Sequence, residues 1–233
     1  MPILSPDSGY WTVFNVFRTD SEEKQQRLLG EMRQIVDAAA YEGWISSTVH
    51  SGHDKLGTAN FIQWRERGDL EKRYASDEFQ HQIPLFAELT TWIRLLQTEV
   101  VYANKRGGGQ VEISPAQDDY TAIEILSVEP ENLDQLSATL GKGREWLADV
   151  PGYRSHSVLK GKALRGKLAE PMDGGFAVSY SQWDSKEAFD AFRTLPERLQ
   201  PVDRRRTQSV LDSLVTEVEW NTYRVHHTRS AGA

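Results

Sequence analysis

A chain of 233 residues with 39% hydrophobic and 26% charged residues holds enough apolar material for one large domain or two of about 100 residues each. Its formal charge of −7 argues against a dominant role in binding a phosphate backbone, and the lack of cysteine excludes disulfides, thiolate nucleophiles, iron–sulfur clusters and cysteine-ligated haem or zinc. The first residues lack the basic-then-apolar pattern of a secretory signal, and no apolar run approaches the roughly 20 residues of a membrane span. A soluble cytoplasmic protein with no membrane or nucleic-acid partner is therefore expected.

Tyr10 to Arg18 reads as a strand with Trp11, Val13, Asn15 and Phe17 on one face, Asn15 being the odd member. Asp20 or Ser21 caps a helix that carries Leu28, Leu29, Met32, Ile35, Val36 and Ala39 at helical spacing, with Gly43 at its end. Trp44 to Ser51 is a second strand. Gly52 to Gly57 then turns the chain into a third, Gly57 to Arg65. In that strand Asn60, Ile62 and Trp64 share a face, a mixture foreign to an ordinary half-buried strand. Gly68-Asp69 opens a helical region expected to break near Pro84 and resume through Leu85, Leu89, Trp92, Ile93 and Leu96, before a fourth strand from Glu99 to Lys105. The order β-α-β-β-α-β is the ferredoxin-like pattern, whose antiparallel sheet sets the first and third strands side by side and so brings Asn15 beside Asn60 and Trp64.

The run Arg106-Gly107-Gly108-Gly109-Gln110 reads as a flexible linker, with the chain to Gln117 mobile or draped over the surface. The pattern then begins again. Tyr120 to Ile125 parallels Trp11 to Val16, and Pro151-Gly152-Tyr153 parallels Glu42-Gly43-Trp44, both at an offset of 109 residues. Between Trp64 and Trp183 the offset is 119, which puts a longer hairpin loop between Lys160 and Gly175. Helices follow around Leu133 to Leu147 and from Lys186 to Val215, the latter broken near Pro196 and Pro201, and the last strand spans Thr216 to His226. A fixed offset with one insertion indicates duplication. The expected organisation is an α+β chain of two tandem ferredoxin-like units, 9–105 and 118–228, joined by a Gly-rich linker, 106–117. Their bare sheet faces pack together as an intrachain α+β barrel.

The Asn-Phe-Ile-Gln-Trp run at 60–64 resembles the third strand of the antibiotic biosynthesis monooxygenase family of dimeric α+β barrels. So do Pro151-Gly152-Tyr153 and Ser179-Tyr180-Ser181-Gln182-Trp183 followed by Ser185-Lys186-Glu187-Ala188-Phe189. The resemblance covers nearly the whole chain as two copies. It implies a cofactor-independent oxygenase that converts a polycyclic aromatic substrate of the anthrone type to a quinone with O2. It also implies that Asn15, Asn60 and Trp64 line the pocket, because these residues match the family's first-strand Asn, third-strand Asn and nearby Trp. Some members carry a Tyr six residues after that Trp, where Leu70 stands here and Phe189 in the second copy. The second copy has Glu124, Ser179 and Trp183, so it lacks both amides and is expected to be degenerate or to act on something else.

The chemistry suits those side chains. Triplet oxygen reacts slowly with closed-shell molecules, but a well-delocalised carbanion can give it an electron directly. The protein then supplies an apolar enclosure and uncharged donors aimed at the developing enolate oxygen. Taken singly, Trp64 reads as core and either Asn as a backbone-bonding strand residue; together they read as a pocket. Trp11, Phe17 and Ile62 are expected as apolar neighbours. Tyr74 and His81 are further substrate-binding candidates from the helical region, His81 as a possible base. His50 and His53 lack a third ligand, so no metal site is expected and a hairpin or surface role is assigned to them. Arg204-Arg205-Arg206 reads as a solvated helix face. Two alternatives stay open. One is a haem-degrading enzyme of the same fold, whose axial His would lie ten residues after the Trp, where Tyr74 stands. The other is a non-catalytic binding or assembly module. Association of whole chains is a further possibility that the sequence does not measure.

Overall fold

The computed structural model describes residues 1–163 and 174–232. After a short N-terminal strand β1 (Ile3–Leu4), the first unit runs β2 (Trp11–Arg18), α1 (Glu22–Ala38), β3 (Trp44–Gly52), β4 (Gly57–Trp64), α2 (Arg67–Ala75), α3 (Asp77–Leu89) and β5 (Trp92–Lys105). A second short strand β6 (Val111–Glu112) precedes the second unit: β7 (Tyr120–Val128), α4 (Leu133–Leu140), β8 (Tyr153–Ala163), β9 (Gly175–Trp183), α5 (Lys186–Arg193), α6 (Val202–Leu214) and β10 (Val215–Ser230). The longer loop expected in the second hairpin falls largely outside the described residues. Among these residues no helix is long and apolar enough to cross a membrane.

Both β-α-β-β-α-β orders are present, and the bare sheet faces meet around a common core. The edges also join. Eight strands close into one barrel in the order β10-β3-β4-β2-β5-β8-β9-β7. The fourth strand of each unit makes this closure because it is long enough to belong to both sheets. β5 pairs with β2 over Trp92–Thr98 and with β8 over Leu96–Lys105, and β10 pairs with β7 over Val215–Arg224 and with β3 over Tyr223–Ser230. Closure leaves no unpaired barrel edge. Inside lie Phe14, Val16, Ala59, Phe61, Leu96, Ile123, Ile125, Leu159, Phe176, Val178, Tyr180 and Tyr223. The alternate residues of the same strands face the helices, as Phe17 and Val49 do against Leu28, Met32 and Leu89. Both faces of the strands are therefore covered, which is why they do not show a clean polar–apolar alternation.

Four local readings differ from the structure. Trp92, Ile93 and Leu96 belong to strand β5, and α3 stops at Leu89 with Thr90 extended. The helical spacing from Leu85 to Leu96 was a coincidence with the period-2 burial of a strand covered on both sides. Pro84 lies inside α3; the break falls at Ser76, whose extended backbone and hydroxyl, accepting from the Phe79 N–H, start a new helix. Helix α1 ends at Ala38, and Gly43 serves the following turn at φ +72°, where a Cβ would lie 1.9 Å from the Asp69 carboxylate. The segment 111–117 is not loosely draped. Val111 and Ile113 are buried with Leu4 against the barrel core, and β6 pairs with β1.

This small ribbon explains why Gln-Trp is kept in both copies. The Gln63 amide donates to the Ile3 carbonyl and accepts from Ser46 Oγ, at 2.9 and 2.7 Å. The Gln182 amide donates to the Glu112 carbonyl at 3.0 Å and accepts from Ser155 Oγ. Each glutamine thus clamps one strand of the ribbon over the barrel.

A polar pair sits within the barrel itself. His50, read as a surface residue from its position, is fully buried. Its Nδ1 donates to the Ala59 carbonyl at 2.9 Å, so Nε2 accepts from the Tyr180 hydroxyl at 3.0 Å, across the two units. Burial lowers its pKa to about 4, and burial followed by the nearby Arg144 charge does the same to His156. The unfolded chain takes up protons on these groups from about pH 6.5 downward, whereas the folded chain resists until about pH 4. The unfolded state binds more protons in that window, so stability is expected to fall as pH drops through it, with no further loss from these two groups below. Urea midpoints measured between pH 7 and pH 4 check this; an unchanged midpoint would contradict it.

Candidate active site between the first sheet and its helices

The first unit encloses a cavity of about 510 Å³ between its sheet and α1, α2 and α3. The register of β2 and β4 builds its floor. Asn15 is the direct partner of Asn60, and Trp11 of Trp64, so Asn15, Asn60, Ile62 and Trp64 emerge on the helix side of adjacent strands. Phe17 lies on the same face and packs on Phe86 of α3, with ring centroids 5.8 Å apart. The helices complete the wall with Met32 and Ile35 from α1, Leu70, Arg73 and Tyr74 from α2, and Phe79 and Ile83 from α3. Leu70, Arg73 and Tyr74 stand at i, i+3 and i+4, one helix face.

Five residues of this lining carry a buried polar atom with no hydrogen-bond partner. Thr48, opposite Phe61 in register, shares its barrel side, and the other four stand on the helix side: Asn15 Oδ1, Asn60 Oδ1, Trp64 Nε1 and the Tyr74 hydroxyl. Buried polar groups are normally paired, so four together on the helix side of one apolar lining make this cavity the candidate site. The Asn60 amide is held from behind, its Nδ2 donating to Met32 Sδ at 3.1 Å. The Tyr74 hydroxyl lies near the Asn15 amide without completing a hydrogen bond, and burial raises its pKa to about 12, so it is a neutral donor. Arg73, only 7% exposed, stacks 4.1 Å over the Tyr41 ring and donates to Ser76 Oγ and Gln82 Oε1 at 3.0 and 3.1 Å. Tyr41 in turn stacks on Trp64. The walls are thus aromatic and flat, with neutral donors at one end and a buried cation in the frame.

Of the residues singled out from sequence, Asn15, Asn60, Trp64, Phe17, Ile62 and Tyr74 line this cavity. Trp11 and His81 do not. Trp11, on β2 directly opposite Trp64, packs in a cluster with Val13, Trp44, Trp64 and Leu70. His81 points to solvent on α3, between the cavity-lining Gln80 and Gln82. No imidazole is among the lining residues, so the cavity offers no axial histidine for a haem; Tyr74 fills that sequence position with a phenol. Met32, Arg73 and Tyr41 were not foreseen as site residues, although the i, i+3, i+4 spacing of α2 carried a signal for Arg73.

At the corresponding place in the second unit these polar groups are partnered. Glu124 pairs with Ser179 in the same register as Asn15 with Asn60. Arg144 Nη1 donates to Glu124 Oε2 at 3.1 Å and to Ser179 Oγ at 3.3 Å. The Trp183 N–H donates to Ser181 Oγ at 2.9 Å, and Ser181 stands where the first unit has Ile62. The indole N–H left unpartnered in one unit is satisfied locally in the other.

Comparison with known proteins gives the following. The model of the antibiotic biosynthesis monooxygenase family matches residues 120–203, in the second unit. No curated protein matches the sequence. A solved structure described as an anthrone oxidase-like protein is 49% identical, with 100% of this chain and 98% of that one covered and a TM-score of 0.94. A candidate monooxygenase from Fusobacterium nucleatum subsp. nucleatum is 9% identical, with 97% of each chain covered and a TM-score of 0.61. Another, from Lactobacillus acidophilus, is 10% identical, with 97% of this chain and 98% of that one covered and a TM-score of 0.55. At such identity these last two speak to the fold alone.

Proposed function

The chain belongs to the antibiotic biosynthesis monooxygenase family and is a monooxygenase, and from that premise we propose that it oxidises a planar polycyclic phenol of the anthrone type to the quinone with O2, without an added cofactor, in the first-unit cavity. The observation that carries this reading is the set of four unpartnered polar atoms, on Asn15, Asn60, Trp64 and Tyr74, in an apolar cavity of about 510 Å³. The similarity to an anthrone oxidase-like protein supports the substrate class.

In this reading the ring system lies against Trp64 and Tyr41, with its oxygen among the amides and the Tyr74 hydroxyl. Asn60 Nδ2 gives one N–H to Met32 Sδ and keeps a second for the developing enolate, while the Oδ1 atoms of Asn15 and Asn60 can accept from the phenol O–H. Donors fixed in advance stabilise negative charge on that oxygen and make the methylene C–H more acidic. The methylene proton passes to water, and the carbanion gives one electron to O2. The radical pair combines at carbon as a peroxide anion, the proton returns to its outer oxygen to form the hydroperoxide, and loss of water leaves the carbonyl. One O2 is consumed, the CH2 becomes C=O, and one H2O is released. Phe17, Phe86 and Ile83 give the cavity apolar walls, a low-dielectric setting that strengthens the polar interactions inside.

The test is oxygen uptake by the purified chain with an anthrone substrate, with quinone followed by absorbance. One quinone per O2, well above the spontaneous rate, is expected. Uptake at the spontaneous rate would leave the non-catalytic alternative for this cavity and overturn the proposal.

A further inference from the structure

The second unit keeps a smaller cavity, about 200 Å³, and its walls come from places equivalent to those of the first. At the offset of 109 residues that relates Trp11 to Tyr120, Arg144 stands where the first cavity has Ile35. At the offset of 119 that relates Trp64 to Trp183, Arg193 stands for Tyr74. Helices α3 and α6 begin 125 residues apart, at Asp77 and Val202, and at that offset Arg204 stands for Phe79. Three neutral wall positions have become arginines. The single carboxylate in the lining, Glu124, is paired with Arg144. Among the described residues no carboxylate pairs with Arg193 or Arg204; each rests on an aromatic ring, Arg193 at 3.6 Å from the Trp220 centroid and Arg204 at 4.3 Å from that of Phe192.

The aromatic plates have been kept and thickened. Trp183 stacks on Phe192 at 4.8 Å, Trp146 lies 6.2 Å from the same ring, and Phe189 replaces Leu70. We propose that this second cavity is a binding site for a one-ring aromatic carboxylate, separate from the oxidation site. Aromatic rings supply flat walls for a ring to lie against and the excess guanidinium charge supplies the anion partner, which an Arg fork meets through two parallel hydrogen bonds. The cavity's size, well under half that of the first, limits the ligand to a single ring. Burial and then the neighbouring Arg144 both disfavour the charged form of Arg204, a cost that an arriving carboxylate relieves.

Titration calorimetry with benzoate on the intact chain tests this, and it needs no catalytic activity, so its outcome is independent of the anthrone assay. Benzoate is expected to bind saturably at one site per chain. Benzamide, equal in shape but neutral, and inorganic phosphate, anionic but ringless, should each bind at least tenfold more weakly. Arg204→Gln should weaken benzoate at least tenfold, and the double change Arg144→Gln with Arg204→Gln should abolish it, while circular dichroism stays unchanged. If the double variant unfolds, Arg204→Gln alone decides. No saturable binding, equal binding of benzamide or phosphate, or benzoate affinity unchanged by Arg204→Gln would each overturn the proposal. Competitive inhibition of anthrone oxidation by benzoate would do the same, by placing the ligand in the first cavity.

Discussion

Replacing Asn60 by alanine is expected to slow anthrone-dependent oxygen uptake by about 10²–10³-fold, the usual effect of removing one fixed donor to a developing oxyanion. Asn60 sits opposite Asn15 in register, its Nδ2 is anchored on Met32 Sδ, and its Oδ1 is buried without a partner. The side chain is therefore oriented before any substrate arrives, and the amide N–H not given to Met32 is the donor for the developing oxyanion. The loss should appear mainly in kcat, because the donor matters most once charge has moved onto the oxygen. Ser179→Ala, at the matching place in the second unit, should leave the rate nearly unchanged. Ser179 Oγ accepts from Arg144 in a closed local network and has no access to the first cavity. Equal losses from the two substitutions, or a loss from Ser179→Ala alone, would move the chemistry to the second unit.

The largest effect on stability is expected for Phe14→Ala. Phe14 is fully buried at the centre of the barrel, 6.1 Å from the Phe61 ring of its own unit and 6.4 Å from the Tyr180 ring of the other. Truncation removes the transfer energy of the ring and leaves a void that eight hydrogen-bonded strands resist filling, a loss of about 3–5 kcal/mol. For a chain of this size that corresponds to a drop in Tm of roughly 6–20 °C. Because Phe14 touches both units, calorimetry should show one transition moving as a whole. A transition that splits, with the second half keeping its original Tm, would mean the units melt separately. A loss below about 1 kcal/mol would mean that the barrel collapses around the void.

The fold was legible because duplication repeats every signal. One ambiguous strand or helix gains weight when it returns at a constant offset, and the Gly-Trp and Gly-Tyr turns at Gly43 and Gly152 pin the register of both copies. The floor of the candidate site was legible for a related reason: Asn15 and Asn60 are polar interruptions on otherwise apolar strand faces, and strand order alone makes them neighbours. The wall was not. Arg73, Tyr41 and Met32 come from helices and a turn, and only tertiary packing decides how those lean over the sheet. Sharing of β5 and β10 between the two sheets was hidden because a strand covered on both faces looks the same whichever sheet it pairs with. The ribbon of β1 and β6 was missed because each strand is only two residues long. Yet Ser5-Pro6 and Ser114-Pro115 stand 109 residues apart, and that offset was a signal that the repeat begins before Tyr10.

Closure of the barrel within a single chain has a consequence for how its halves can change. Two identical chains forming such a barrel would carry two identical cavities, and any substitution would alter both at once. Here Ile35 and Arg144, or Tyr74 and Arg193, are encoded separately, so one cavity can acquire charge while the other stays neutral. The shared strands keep the ratio of the halves at one to one and prevent dilution from parting them. The molecule is in effect an obligate hetero-pair whose members never have to find each other, and each half is free to drift only on the side of its sheet that faces away from the common core.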